Sequence, residues 1–239
     1  MEWARRTGGK VYIAAHIPPV LDSYVRMQQW EPSFARRYWA LVAEFADVLG
    51  LHIFGHVHAA EVRASGDPQL RAAPALQTLA SVSPIFSSNP SIYTLHATPN
   101  VGRSNLTLHS FNLSAAAHLS ARVPTTLGQL SFTPMVQRPL DSTRGFVASN
   151  SAYRQLFAGL LTMSLNESAR AQFDSFFDLF KGGHHGRGLE CTRYEDTFQD
   201  CATCTGNCRV AFVCLQMSGT DADDYAACVK EHSLPPQTA

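Results

Sequence analysis

Three histidines stand where they could bind a metal ion together. His16 follows the apolar segment 11–15, and His56 and His58 follow the apolar segment 51–54. Neutral imidazole is a common ligand of zinc and other first-row metals. Because ligands sit at the carboxyl ends of strands in an open α/β sheet, we expect the three rings to meet at one sheet edge. The alternative is that each histidine is an ordinary polar residue at a strand end. We expect His52 to be a strand side chain rather than a ligand.

The residues between the two histidine groups predict a β-α-β unit. Segment 11–15 is a continuous apolar run, typical of a strand buried on both faces, and Pro18 and Pro19 end it. Pro32 suits the first position of a helix, and Gly50 is expected to stop that helix in a left-handed conformation. The apolar stripe predicted for this helix consists of Phe34, Tyr38, Leu41, Phe45 and Val48.

This β-α-β unit determines how the histidines should approach one another. A right-handed crossover makes the two strands parallel and places them close together. His16 can then reach the turn that carries the other two histidines. In extended chain, His56 and His58 point to the same side because they are two residues apart. Gly55 allows a tight turn before them.

Composition describes a globular chain of two domains. The 239 residues are 45% hydrophobic and carry a formal net charge of zero, which gives no indication of nucleic-acid binding. No run reaches the roughly 18 apolar residues that a membrane-spanning helix needs, and segment 1–10 lacks a signal-peptide core. We predict one domain over residues 1–122 and a helical, cysteine-rich domain over residues 123–239, with a loosely structured arm over 121–150.

Two helices are predicted in the second domain, over 153–163 and 167–181. Four phenylalanines line one face of the second helix: Phe173, Phe176, Phe177 and Phe180. Such a stripe could dock on a lipid surface, but no basic face lies opposite it. We therefore expect it to belong to the core.

All six cysteines lie in the last fifty residues: Cys191, Cys201, Cys204, Cys208, Cys214 and Cys228. An even number in one module favours disulfides. The competing interpretation is zinc binding through the spacing of Cys201, Cys204 and Cys208, although no flanking histidine completes a zinc-finger pattern.

Further features of the chain favour an extracellular or lysosomal location. Three sequons place candidate glycosylation sites at Asn105, Asn112 and Asn166. Disulfides without a signal peptide are contradictory in one chain. We therefore expect that Met1 is not the start of the full product, with a true short product as the alternative.

The histidine motifs resemble a known family. The His16-Ile17-Pro18-Pro19 segment, the long helix and Gly55-His56-Val57-His58 are similar to the C-terminal half of calcineurin-like metallophosphoesterases, in particular the acid sphingomyelinase branch. The likeness continues through segments 76–85 and 89–95 and the cysteine-rich tail, and so covers about residues 10 to 230.

The resemblance implies a fold, a cofactor and a function. The fold would be α/β, a partial metallophosphoesterase β-sandwich with flanking helices, followed by a disulfide-bonded helical C-terminal domain. His16 and His56 would bind one zinc ion of a pair, and His58 the other. The chain would be a segment of a zinc-dependent phosphodiesterase whose substrate is a phosphodiester such as a membrane sphingolipid. By the same likeness Cys204 pairs with Cys208 and Cys214 with Cys228, which leaves Cys191 for Cys201.

The chain also departs from that family. Such enzymes have Asp-x-His, Gly-Asp and Gly-Asn-His motifs upstream, whereas this sequence has only Gly66-Asp67, in a predicted loop after the histidines. Ala60 replaces one acid of the usual pair and Glu61 remains. Hydrolysis by two metals needs a bridging carboxylate, so no catalytic residue is assigned and the chain alone is predicted to be inactive.

Two alternatives remain open from the sequence, a non-catalytic remnant or binding protein and a related phosphomonoesterase or polyphosphatase. The half-domain hypothesis also predicts an exposed apolar edge at 11–15 and aggregation of the isolated chain.

Overall fold

A computed structural model describes residues 1–98, 103–110, 133–135, 149–161, 167–182 and 188–233, and these ranges form a mixed α/β fold. The helices in these ranges are α1 Glu2–Thr7, α2 Pro32–Glu44, α3 Asn150–Leu160, α4 Glu167–Phe180, α5 Gly206–Ser218 and α6 Ala222–His232. The strands are β1 Val11–Ala15, β2 Leu49–Phe54, β3 Glu61–Arg63, β4 Leu76–Thr78, β5 Ser91–Thr98, β6 Arg103–Ser110, β7 Thr133–Met135, β8 Leu189–Cys191 and β9 Cys201–Cys204.

The predicted β-α-β unit is confirmed. β1 and β2 are parallel neighbours, with Ala15 opposite Phe54, and α2 connects them. β4 pairs parallel with β2, and β3 pairs antiparallel with β4, which gives the sheet order β1-β2-β4-β3. The carboxyl ends of β1, β2 and β4 therefore lie at the same edge of the sheet.

β1 differs from the strand predicted for segment 11–15. Tyr12, Ala14 and Ala15 are exposed, so the expectation of burial on both faces is wrong. The reason is topological, because β1 is the edge strand of the described sheet and is hydrogen-bonded to β2 alone. Its outer backbone groups have no ladder partner in the described part of the chain.

α2 begins as predicted, with Pro32 in the first turn and the Glu31 carboxylate accepting from the Ser33 amide at 2.9 Å. The predicted apolar stripe is only partly right, because Phe34 is 61% exposed and Leu41 is 42% exposed. The buried face of the helix consists instead of Ala35, Trp39 and Val42. The observed stripe lies one residue further along the chain than the predicted one. Both stripes have helical periodicity, so periodicity alone does not show which of them is buried.

The predicted left-handed stop at Gly50 is wrong. The helix ends at Glu44, followed by Phe45 at φ −110°, and Gly50 is part of β2. The chain therefore leaves the helix five residues earlier than the glycine suggested, and the next strand is longer than predicted.

The second sheet has the order β5-β6-β7, and β8 pairs with β9 in a third. A metallophosphoesterase sandwich remains a prediction. Asn105 lies in β6, opposite His96 of β5, whereas Asn112 and Asn166 fall outside the described residues. None of the described helices has the length and apolar character needed to cross a membrane.

The phenylalanine stripe of α4 belongs to the core, as expected. Phe173, Phe176, Phe177 and Phe180 are at most 4% exposed. All four rings pack around Phe212 of α5, with centroid separations between 5.0 and 6.0 Å. This arrangement buries large apolar area and leaves the stripe no surface to present to a lipid.

The same buried cluster reaches into the four-stranded sheet. Leu21, Ala59 and Val62 belong to it together with Phe157 and Phe212. Residues on both sides of the proposed boundary at 122/123 therefore share one core, and the division into two domains remains a prediction.

A buried ion pair joins the sheet to α5. The Arg63 guanidinium donates to Glu61 Oε2 from Nη2 at 2.8 Å and from Nε at 3.2 Å, and both side chains are fully buried. Arg63 Nη1 also donates to the Leu215 carbonyl at 2.8 Å. The Val62 amide donates to Gln216 Oε1 at 3.0 Å, so this β3–α5 contact has both charged and neutral hydrogen bonds.

Three disulfides are present in the C-terminal region. Their pairs are Cys191–Cys201, Cys204–Cys208 and Cys214–Cys228, the pairs that the resemblance implies. The first closes a loop of ten residues, and the third ties α5 to α6. Each cysteine is buried.

Candidate metal centre

His16 and His56 come together at the carboxyl ends of β1 and β2. Their ring centroids lie 5.2 Å apart in an edge-to-face arrangement, and both side chains are exposed. The Gly55 amide donates to the His16 carbonyl at 2.9 Å. A Cβ at position 55 would lie 3.3 Å from His16 Nδ1, so glycine permits this close approach. Two imidazoles at this distance, open to solvent, can serve one metal ion.

The turn 56–58 is not the extended chain that the sequence predicted. His56 has φ 70° and His58 has φ 56°, both in the left-handed region. Non-glycine residues pay about 1–3 kcal/mol each to remain in sparsely populated backbone regions, and such outliers cluster at functional sites. The Val57 amide, which donates to the Gly55 carbonyl at 2.9 Å, and the buried Val57 side chain help to fix the turn.

His58 lies in a different environment from the other two histidines. Its ring is half-buried and packs 5.9 Å from the Phe86 ring, between centroids. His58 Nδ1 is buried and has no hydrogen-bond partner among the described residues. An unpaired buried polar atom costs about 1–3 kcal/mol. A metal bond to Nδ1 would remove that cost, so His58 fits the role of a ligand.

The Phe86 contact is held by a buried lysine. Lys181 Nζ donates to the Phe86 carbonyl at 3.1 Å and also to the Gln199 carbonyl. Burial lowers the pKa of Lys181 to about 8, although the Asp200 charge opposes this. Phe86 itself has φ 60°. The lysine therefore fixes a strained loop whose ring covers His58.

A second group of contacts supports the loop that follows β1; we call this group and the Lys181 hydrogen bonds the two braces. The Arg26 guanidinium lies 4.5 Å above the Phe198 ring and donates to the Asp196 carbonyl at 2.5 Å. Gln199 Nε2 donates to Ser23 Oγ at 2.8 Å. Both braces contact segment 196–200, which lies inside the loop closed by the Cys191–Cys201 disulfide. Sequence reasoning missed both braces, because contacts between segments far apart in the chain, such as Arg26 with Asp196 and Lys181 with Phe86, leave no local pattern.

His52 is a structural histidine, as expected. Its Nε2 donates to the Pro74 carbonyl at 2.9 Å, so the neutral ring accepts the Tyr38 hydroxyl at Nδ1, 2.7 Å away. Burial lowers the pKa of His52 to about 4 and raises that of Tyr38. Both ring nitrogens are therefore occupied, which excludes His52 from the metal centre.

The acidic residue nearest in sequence to this turn does not join the histidines. Glu61 faces Arg63, and its Oε2 also lies 3.3 Å from Thr78 Oγ1. Gly66-Asp67 lies in a loop, as expected, with the Asp67 carboxylate capping the short 3₁₀ helix Pro68–Leu70. Neither acid supplies the bridging carboxylate that a two-metal centre needs.

The described part of the chain contains one compact group of three ligand-type side chains, Cys191, Cys201 and Cys208. Their ligand atoms all lie within 4.8 Å of one another. The three histidines do not form such a group. The structure therefore gives no geometry for a single ion bound by all three histidines, and the ligand assignment remains a prediction.

A cavity of about 610 Å³ lies apart from these histidines. It is lined by residues of α2, the Asp67 loop and the start of α6, including Arg36, Trp39 and Asp223. None of the three histidines lines it, so it adds nothing to the candidate metal centre.

No family model matches the chain, and comparison with curated proteins finds no match either.

Proposed function

We propose that this chain is a segment of a zinc-dependent phosphodiesterase similar to acid sphingomyelinase, and that it contributes His16, His56 and His58 to the metal centre. The observation that carries the proposal is the meeting of His16 and His56 at the ends of two parallel strands, 5.2 Å apart between ring centroids. The unpaired Nδ1 of His58 supports it.

The chemistry of the donors fits zinc. Imidazole nitrogen is a preferred zinc ligand, and His16 and His56 are open to solvent. Zinc ions, when bound, supply Lewis acidity and an activated water for phosphodiester hydrolysis. The residues of this chain would hold and orient the ions. On the side next to His58, the Phe86 ring packs against the imidazole, and Lys181 fixes the Phe86 carbonyl.

The donor set of this chain is incomplete for catalysis. Neutral imidazoles leave the charge of two cations uncompensated, and the sequence contains neither Asp-x-His nor Gly-Asn-His. Catalysis would therefore require carboxylates other than those of Glu61 and Asp67, which are engaged elsewhere. In the part of the chain that the structure describes, Glu61 pairs with Arg63 and Asp67 caps a 3₁₀ helix, which favours a second candidate, a metal-binding protein without hydrolytic activity.

We further propose an extracellular or lysosomal location for the protein. Three disulfides persist in oxidising compartments and are rare in the cytosol. The sequons at Asn105, Asn112 and Asn166 agree with this location.

Zinc binding by the oxidised chain tests the metal centre directly. Equilibrium dialysis followed by elemental analysis should find zinc on the chain, and His56→Ala should weaken binding by at least about tenfold. His232→Ala, on α6, is the matched control and should bind zinc like the unaltered chain. Equal affinity of the His56→Ala variant would refute the assignment.

A hydrolysis assay separates the two candidate functions. The chain alone should leave bis(p-nitrophenyl) phosphate intact with or without zinc. In the complete enzyme expected by the first proposal, His56→Ala should abolish turnover and lower the zinc content. Zinc binding without turnover in any longer product would favour the metal-binding protein.

A further inference from the structure

Three cysteine sulfurs converge in the tail, on elements remote from the histidines in sequence, and a fourth is bonded to one of them. The sulfurs of Cys191, Cys201 and Cys208 lie within 4.8 Å of one another. Cys204 is bonded to Cys208, and in the β8–β9 ladder it lies opposite Cys191. The fourth sulfur is therefore bonded to one member of the group, although it lies outside the 4.8 Å limit that the other three satisfy.

The spacing of the cluster fits a tetrahedral metal site. Zinc–sulfur bonds of about 2.3 Å place the sulfurs of a four-cysteine site about 3.8 Å apart. For the three sulfurs that lie within 4.8 Å of one another, shifts of about an ångström per side chain would suffice once the disulfides are open, and the Cys204 side chain would rotate toward them when its bond to Cys208 is broken. Burial of all four side chains would keep competing water away from the ion.

The backbone holds these positions independently of the disulfides. The Thr205 amide donates to the Cys191 carbonyl at 2.9 Å, and the Cys208 amide donates to the Thr192 carbonyl at 3.1 Å. The β8–β9 ladder adds a third connection between the same segments. Opening the disulfides would leave these bonds in place, so the four thiols would remain grouped.

A helix N-terminus lies beside one of the cysteines. Cys208 lies in the first turn of α5, a helix of 13 residues whose N-terminus carries partial positive charge. This positive charge partly offsets the charge of four thiolates around one divalent ion.

We propose that the reduced chain binds one Zn²⁺ through Cys191, Cys201, Cys204 and Cys208, and that oxidation to the two disulfides releases the ion. Binding displaces four protons from the four thiols. Release needs two molecules of a disulfide oxidant such as oxidised glutathione. Each accepts two electrons and, with two protons, becomes two thiols while one protein disulfide forms.

The experiment uses the full chain carrying His56→Ala, reduced anaerobically with a phosphine and titrated with Co²⁺ as a spectroscopic probe. We expect one ion per chain with sulfur-to-cobalt charge-transfer absorption in the near ultraviolet and the visible bands of a tetrahedral site. Oxidised chain should show neither. Adding oxidised glutathione to the zinc form should release zinc to a chromogenic chelator and produce four thiols per ion.

Two double variants test the ligand set. Cys204→Ser/Cys208→Ser should lose the charge-transfer absorption, whereas Cys214→Ser/Cys228→Ser should keep it, because the third disulfide is outside the cluster. Equal loss in both would overturn the proposal. A reduced chain that loses its helical circular dichroism and binds no cobalt also overturns it, since the ion is expected to hold the four cysteines together.

Discussion

Replacing Arg63 by methionine should strongly destabilise the fold. Arg63 makes two hydrogen bonds to Glu61 and one to the Leu215 carbonyl, at 2.8 to 3.2 Å, and no part of either charged side chain is exposed. Arg63→Met leaves Glu61 with Thr78 Oγ1 at 3.3 Å as its remaining side-chain partner. Breaking one side of a buried ion pair costs about 3–5 kcal/mol.

The double variant Glu61→Leu/Arg63→Met distinguishes the unpaired charge from lost packing. Removing both charges avoids the isolated carboxylate, so we expect it to be about 2–3 kcal/mol more stable than Arg63→Met alone. Urea unfolding with the disulfides intact gives the free energies. Arg193→Met is the matched control, because its ion pair to Asp196 leaves Arg193 75% exposed and should matter far less.

The outcome that would refute this reasoning is specific. If Arg63→Met lowers the free energy of unfolding by less than about 1 kcal/mol, the pair is hydrated or loosely packed in solution. A double variant no more stable than Arg63→Met would mean that packing of the arginine, rather than its charge, stabilises the β3–α5 contact.

Two further predictions concern groups around the histidine edge. Because the pKa of His52 falls from 6.5 in the unfolded chain to about 4 in the fold, stability should be lost as the pH falls through that window, by about 2 kcal/mol between pH 7 and pH 5. His52→Phe should flatten this slope in urea unfolding, and an unchanged slope would contradict the assignment. Lys181→Met removes the bonds to the Phe86 and Gln199 carbonyls, so amide hydrogen exchange over residues 85–88 should accelerate. Lys230→Met, on an exposed face of α6, should leave that exchange unchanged. If both variants change the exchange equally, Lys181 does not hold the loop.

The sequence predicted the β-α-β unit because its signals are local. An apolar run before Pro18, a proline at the helix start and a second apolar run define each element without reference to the rest of the chain. The face of α2 was misassigned because Phe34 and Leu41 lie beside Ala35 and Val42 in two adjacent stripes. Only the packing of the sheet against Trp39 decides which stripe is buried.

The candidate metal centre was predictable only in part. Strand order brought His16 to His56, and this follows from the parallel crossover. The left-handed turn at His56 and His58 has only a weak sequence signal, because histidine adopts positive φ more often than most residues other than glycine but still does so rarely. The support from Lys181 and Arg26 depends on tertiary contacts with segment 196–200, which no periodicity reveals.

The buried core contains residues that are far apart in the sequence, and this has a consequence for biosynthesis. Val62 of β3 shares a buried cluster with Phe212 of α5. At ~5–20 residues per second, the sheet leaves the ribosome on the order of ten seconds before that helix is synthesised. Its apolar face is exposed throughout that interval. Nascent chains halted before Gly206 should therefore be held by chaperones or degraded, because the surface that would bury the sheet has not yet been translated.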